Sequence, residues 1–330
     1  MLIALQLLAA LVLVVIASDA FTNAVEWIGA IFGLTRSAVG AVVAAIGSSL
    51  PETMVAVVAL LYLRDAQSQA IGIGAVLGAP FMLSTLVFFL IGLTALMRKD
   101  AQRVHAPMAD TLFGAALFVL TFALAIGASF AHNRFVHLIA AGLVLASYGV
   151  YLTYHLRGQG VEAEETPPPL RLSPRRAVPR KRTIGLQLVL ALIVTIVASR
   201  WFVGSVAHAA DALGLSPFLI SLVLAPIATE LPDASNVVLW MRRRQDELAV
   251  GSVIGALMFQ TSIACAIGML ATPWQLGLSG YVPSALALLS ALVLMAAIVL
   301  RRRIDSVWLL SGGFLYAGYL VYAIVARSSS

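Results

Sequence analysis

The sequence predicts an all-α polytopic membrane protein of about ten transmembrane helices, arranged as two inverted five-helix repeats. Three observations predict it. The 330 residues are 61% hydrophobic and only 11% charged, against roughly 25% charged in a soluble domain. Apolar runs of about 20 residues, the length that crosses a bilayer, recur along the whole chain. A constant shift, the one that carries Ser18 onto Ser199, lays the second half on the first.

The runs fall at 2–20, 38–63, 70–97, 108–130, 135–156, 184–210, 215–241, 248–271, 281–300 and 305–326. The first has no basic n-region and exceeds the roughly 7–15 apolar residues of a signal peptide, so it is expected to be a retained helix. It closes on Asp19, Asn23 and Glu26, a polar end expected at the membrane surface. Gly33-Leu34-Thr35 turns the chain into the second run, which contains Ser48-Ser49-Leu50-Pro51-Glu52. The third run is rich in glycine (Gly72, Gly74, Gly78), which lets neighbouring backbones approach closely, and Ser84 and Thr85 follow. The fourth and fifth runs have no ionisable residue in their interiors and read as scaffold.

Residues 157–183 change character. Glu162, Glu164 and Glu165 precede Pro167-Pro168-Pro169 and a basic cluster, which predicts a solvated, partly extended linker. The expected units are therefore a first repeat at 1–156, the linker at 157–183 and a second repeat at 184–330.

A net charge of +6 would suit nucleic acid, but the basic residues follow the topology instead. Arg98, Lys99 and Arg103, the linker arginines Arg171, Arg175, Arg176, Arg180 and Arg182 with Lys181, Arg242 to Arg244, and Arg301 to Arg303 all fall on one face of a ten-span chain, with Arg36. By the positive-inside rule that face is cytoplasmic and both termini are outside. The expected setting is the plasma (inner) membrane, with the bilayer and inorganic cations as partners and no nucleic acid. The single Cys265 permits no intramolecular disulfide.

The same shift pairs Phe21 with Phe202, Gly33-Leu34 with Gly214-Leu215, and Leu50-Pro51-Glu52 with Leu231-Pro232-Asp233. A slightly shorter shift then aligns Gly74 and Gly78 with Gly251 and Gly255. Five spans per half is an odd number, so the second copy inserts upside down, the plan of many transporters that bind near the midplane.

The chemistry lies in the repeated motif. A proline in a helix frees the carbonyl four residues back, here Gly47 and Ala228, and such backbone is tolerated in a membrane only against protein or a hydrated cavity. Ser48 and Ser49 share a helix face with Glu52, and Thr229 and Glu230 share one with Asp233. Hydroxyls, carbonyls and carboxylates are hard oxygen donors that suit Ca²⁺ or Na⁺. An intramembrane carboxylate is a functional candidate in its own right, and two occupy repeat-related positions. Glu230 is either a third ligand or a protonated hydrogen-bond donor. His105, His132, His137 and His155 lie at span ends and His208 near the end of the sixth, so a soft-metal site is not expected. A serine-hydrolase reading lacks a histidine base at membrane depth, so no enzyme and no cofactor are expected.

Gly47-Ser48-Ser49-Leu50-Pro51-Glu52, followed by a glycine-rich helix and repeated in the second half, resembles the repeats of the sodium/calcium exchanger (cation/calcium antiporter) family, whose motif reads Gly-Thr-Ser-Leu-Pro-Glu. The resemblance covers most of the chain. It implies ten helices in two inverted repeats, Glu52 and Asp233 as central cation ligands, Ser48, Ser49 and Thr229 in the same chamber, and the first and sixth spans as the moving gate.

The second copy, Ala228-Thr229-Glu230-Leu231-Pro232-Asp233, loses the glycine, replaces serine with Glu230 and shortens the acid. The family's Gly-Ser-Asn reads Gly78-Ala79-Pro80 and Gly255-Ala256-Leu257 here, and its site-completing Asn or Asp falls on Leu83 and Gln260. The expectation is a secondary active antiporter exchanging Ca²⁺ for H⁺ or Na⁺ by alternating access. The lost polar ligands lean towards H⁺. A Na⁺/H⁺ or other cation exchanger on the same fold, an organic-ion carrier, and a non-transporting scaffold are the alternatives.

Overall fold

The computed structural model describes residues 2–31, 45–98, 103–157, 167–176 and 178–328. Arg36, Lys99, Glu162, Glu164 and Glu165, whose expected roles are in topology and in the linker, lie outside them. The described chain is almost wholly helical. It comprises α1 (Leu2–Ile31), α2 (Ala45–Val57) with a π-helical continuation (Val58–Leu63), and α3 (Ala66–Met82), which passes through a π turn (Leu83–Val87) into α4 (Phe88–Leu96). After β1 (Arg103–Val104) come α5 (Met108–Ala128), α6 (Arg134–Arg157), α7 (Lys181–Leu213) and α8 (Pro217–Arg242). Then α9 (Asp246–Phe259) passes through a π turn (Gln260–Ala264) into α10 (Cys265–Ala271), and α11 (Gly277–Arg301), β2 (Ile304–Asp305) and α12 (Ser306–Ser328) complete the chain.

Eight helical stretches among the described residues are long and apolar enough to cross a bilayer, and Glu52–Leu63 and Pro217–Ile227 are shorter apolar stretches. The protein is an integral membrane protein. Its surface agrees, because large apolar side chains such as Leu8, Ile16, Phe135, Leu190, Leu300 and Phe314 are exposed around the bundle where a soluble protein would bury them.

Close backbone packing comes from the glycines. A methyl group on Gly74 would lie 2.6 Å from the Phe218 carbonyl, and one on Gly78 would lie 2.7 Å from Pro226 Cγ and overlap the Leu222 carbonyl. Helix α3 therefore presses on the backbone of α8, and Ser221 ties the two by donating to the Ile71 carbonyl at 2.7 Å. Gly92 meets the Ser306 carbonyl and Gly312 that of Thr85, so α12 closes on the other side. Phe81 stacks there on Tyr316 and meets Tyr319 edge-on, with centroids 5.2 and 4.9 Å away.

Helices α1 and α7 run along each other, and both pack on α2. Within the expected linker, residues 167–176 are docked on these helices. Leu170 is fully buried with Ala24, Trp27 and Ile184. The Pro168 carbonyl accepts from Asn23 Nδ2 at 3.1 Å and Trp27 Nε1 at 2.9 Å, and Gln187 Oε1 accepts the Leu172 amide at 2.8 Å. A proline carbonyl is a full acceptor with no N–H beside it to satisfy, so the proline run docks without leaving a donor stranded. Arg175, Arg176, Arg180, Lys181 and Arg182 remain exposed. Asp19 pairs with Arg171 at 2.9 Å, and α1 continues past the expected polar end to Ile31.

Several segments between helices meet at one end of the bundle. Arg98 pairs with Asp246, and β1 pairs antiparallel with β2, Arg103 opposite Asp305. Three of the basic segments are thereby joined.

Candidate functional site

Helix α2 continues through position 51 and α8 through position 232, so neither proline ends its helix. Breaks in regularity fall elsewhere, at the π-helical continuation Val58–Leu63 and at the π turns Leu83–Val87 and Gln260–Ala264. The shift that aligns Gly74 with Gly251 also carries Leu83 onto Gln260 and Val87 onto Ala264, so the two turns occupy equivalent places. π turns often mark functional sites, because the widened turn releases backbone groups and re-aims side chains.

On α2, Ser49 is fully buried and Glu52 is 1% exposed. The Ser49 carbonyl accepts from Thr53 Oγ1 at 2.7 Å, whereas Ser49 Oγ has no hydrogen-bond partner among the described residues. On α8, Glu230 is 1% exposed, and Thr229, also buried, donates to the Ala225 carbonyl at 2.8 Å. Gln260 opens the second π turn fully buried, with neither Oε1 nor Nε2 partnered among the described residues. Helix α2 contacts α8, α9 and this π turn. Of the expected ligands, Ser49, Glu52, Thr229, Glu230 and Gln260 thus stand buried on contiguous elements. The side chains of Ser48 and Asp233, with those of Pro51 and Pro232, lie outside the described residues.

One residue escaped the sequence reading. Ser262 is fully buried on the same π turn as Gln260, and its hydroxyl also has no partner among the described residues. Its neighbour Thr261 instead donates to the Leu257 carbonyl at 2.8 Å. The signal was present, since the glycine-helix shift lays the hydroxyl pair Ser84-Thr85 on the pair Thr261-Ser262.

Buried carboxylates among neutral oxygen donors form a poor site for a nucleophile and a good one for a cation. A carboxylate taken out of water needs a positive charge, a proton or several hydrogen bonds. Hydroxyl and amide oxygens supply the neutral part of a hard-cation shell. Among the described residues no three His, Cys, Asp or Glu side chains cluster as a metal centre. His105 and His132 are exposed, and the buried His137 ring bonds the Ala128 carbonyl.

A family model described as "Sodium/calcium exchanger protein" matches residues 2–157 and 184–327. The chain is 26% identical over 286 residues to the inner membrane protein YrbG of Escherichia coli (strain K12), which covers 83% of this chain and 82% of that protein. It is 25% identical over 325 residues to the putative antiporter CaxA of Alkalimonas amylolytica, covering 96% of this chain and 97% of that one. Among solved structures, the H⁺/Ca²⁺ exchanger CAX superposes with a TM-score of 0.75 at 17% identity, over 97% of this chain and 82% of the other. At that identity the likeness is one of fold.

Proposed function

The chain belongs to the sodium/calcium exchanger family, and on that premise we propose that it is a secondary active antiporter that exchanges Ca²⁺ for H⁺ or Na⁺ by alternating access. The observation that carries the proposal is the pair Glu52 and Glu230. Each is 1% exposed, and they sit on helices α2 and α8, which pack against each other. In this reading Glu52, Asp233 and Glu230 hold the cation, and Ser48, Ser49, Thr229 and Gln260 complete its shell.

Three carboxylates sharing one cation would repel one another once it leaves, so a proton on one of them is the natural replacement for a departing divalent ion. That supports H⁺ as the counter-ion, as does the neutral Leu83 where the family carries a polar ligand. The relative CAX is named as an H⁺/Ca²⁺ exchanger.

The finer architecture belongs to the same proposal: ten spans, two inverted five-helix units at 1–156 and 184–330, and the linker 157–183 between them. The two π turns at equivalent positions in the halves support it. The clustering of basic segments at one end of the bundle supports a cytoplasmic end there, both termini outside, and residence in the plasma (inner) membrane.

The test is Ca²⁺ uptake into proteoliposomes under an imposed H⁺ gradient, an imposed Na⁺ gradient, or neither. Uptake that follows one gradient identifies the counter-ion. Equal uptake with and without gradients contradicts antiport.

A further inference from the structure

We propose that Ser18 on α1 and Ser199 on α7 are a further pair of cation-facing hydroxyls that line the path to the motif carboxylates. The proposal rests on the exchanger reading and assigns to it two residues outside the repeated motif.

Both side chains are buried, Ser18 at 2% and Ser199 at 0% exposure, and neither Oγ has a hydrogen-bond partner among the described residues. Other hydroxyls on these helices behave differently. Thr22 donates to the Ser18 carbonyl at 2.9 Å, Thr195 to the Ala191 carbonyl at 2.8 Å, and Ser205 to the Trp201 carbonyl at 2.9 Å. Bonding the carbonyl four residues back is the ordinary way for a hydroxyl to be satisfied on a helix. Ser18 and Ser199 forgo it, although a buried unsatisfied hydroxyl is destabilising.

The two occupy the same place in each half. The shift that relates the motifs carries one onto the other, and each closes a buried i, i+3, i+4 stripe: Val14-Ala17-Ser18 on α1 and Thr195-Ala198-Ser199 on α7. Helices α1 and α7 both pack on α2, and α7 also packs on α8. Along the chain, Ser199 stands about 20 Å of helix before the turn that joins α7 to α8, and Glu230 about 20 Å after it, at about 1.5 Å per residue.

A hydroxyl oxygen not bonded to its own helix is a hard donor for a cation shedding water. Two of them, one per half, offer the ion a ligand at each approach to the carboxylates. The rival account is that both serines only fill the seam between α1 and α7.

Two measurements separate these. In proteoliposomes, Ser18→Ala and Ser199→Ala are each expected to raise the KM for Ca²⁺ by about tenfold or more, the worth of one hydrogen bond to a charged group. Ser18→Thr and Ser199→Thr, which keep the hydroxyl, should stay closer to the unsubstituted chain. Independently, Ser18→Cys and Ser199→Cys should react with a small charged methanethiosulfonate, and Ca²⁺ should slow the reaction, with the fully buried Cys265 of the unsubstituted chain as background. An unchanged KM in both alanine variants, together with cysteines that do not react, overturns the proposal. Failure of the unsubstituted chain to exchange Ca²⁺ would instead sink the exchanger reading, while the cysteine reactivity would still report whether the two positions line a hydrated path.

Discussion

The Asp246 carboxylate, 2% exposed at the start of α9, accepts Arg98 Nη1 at 3.0 Å and Nη2 at 2.6 Å from the other half of the chain. It also accepts the His105 amide at 2.9 Å, and a helix N-terminus favours its negative charge. Asp65, its counterpart under the shift that relates the motifs, starts α3 in the same way, but its carboxylate caps its own helix through the Ser68 amide and hydroxyl. One repeat-related acid therefore locks two halves together, and the other serves only its own helix.

Removing one partner of the buried pair should be far more harmful than removing both. Arg98→Met or Asp246→Leu alone is expected to cost about 3–5 kcal/mol, because a buried charge is left uncompensated, whereas the double substitution should recover much of the loss. Thermal unfolding of the four proteins in detergent, read as a double-mutant cycle, checks this. Additive losses would argue against the pairing.

For Asp65 the capping bonds hold the carboxyl below the usual carboxylate range, the Ser68 hydroxyl first and its amide second. The stabilisation is fully present above the ordinary carboxylate pKa and is lost as pH falls through the lowered one. Asp65→Ala should therefore destabilise by about 1 kcal/mol at neutral pH, with the difference from the unsubstituted chain shrinking in acid. Unfolding temperatures across that pH range measure it.

The glycines offer a paired control. Gly74→Ala forces a methyl group against the Phe218 carbonyl and the Leu222 amide, backbone groups that cannot easily yield, and is expected to cost about 1–3 kcal/mol as overpacking. At Gly251, its counterpart in the second glycine-rich helix, nothing lies within 4 Å of the added methyl, so Gly251→Ala should not destabilise and should gain up to about 1 kcal/mol of helix propensity. Comparable loss from both would mean that the two helices pack alike.

That contrast marks how far the sequence could be read. The shift that aligns Gly74 and Gly78 with Gly251 and Gly255 finds equivalent glycines, yet a repeat in sequence does not say which copy is pressed on its neighbour in one conformation. The membrane-spanning, helical character of the chain was legible because a bilayer demands long apolar runs. The carboxylates were legible because charge is rare in them. The π turn at Gln260 was not, since no proline or glycine stands at Gln260–Ala264 to announce it. Nor was the docking of Leu170. Its triple proline and flanking charges are the composition of a solvated connection, and nothing in them announces the partners Asn23 and Trp27, far away in sequence, or Gln187.

Asn23 is the hub of that docking. Its Nδ2 donates to the Pro168 carbonyl, and its Oδ1 accepts the Arg171 amide and Gln187 Nε2, each at 3.1 Å. Asn23→Ala should expose residues 167–176 to protease and lower stability by about 1–3 kcal/mol. Breaking the exposed Asp19–Arg171 pair should cost less than about 1 kcal/mol. Cleavage rates in detergent, compared between Asn23→Ala and Asp19→Ala, test the ranking.

The central claim is that the buried carboxylates of α2 and α8 bind the transported cation, and the most direct measurement is gradient-driven Ca²⁺ uptake by Glu52→Gln in proteoliposomes beside the unsubstituted chain. Glutamine keeps the shape and removes the charge on which binding depends. The expected result is uptake by the unsubstituted chain and loss of at least about 99% of it in a folded Glu52→Gln protein, as removal of a charged ligand worth roughly 3 kcal/mol requires. Uptake by Glu52→Gln equal to that of the unsubstituted chain would contradict it.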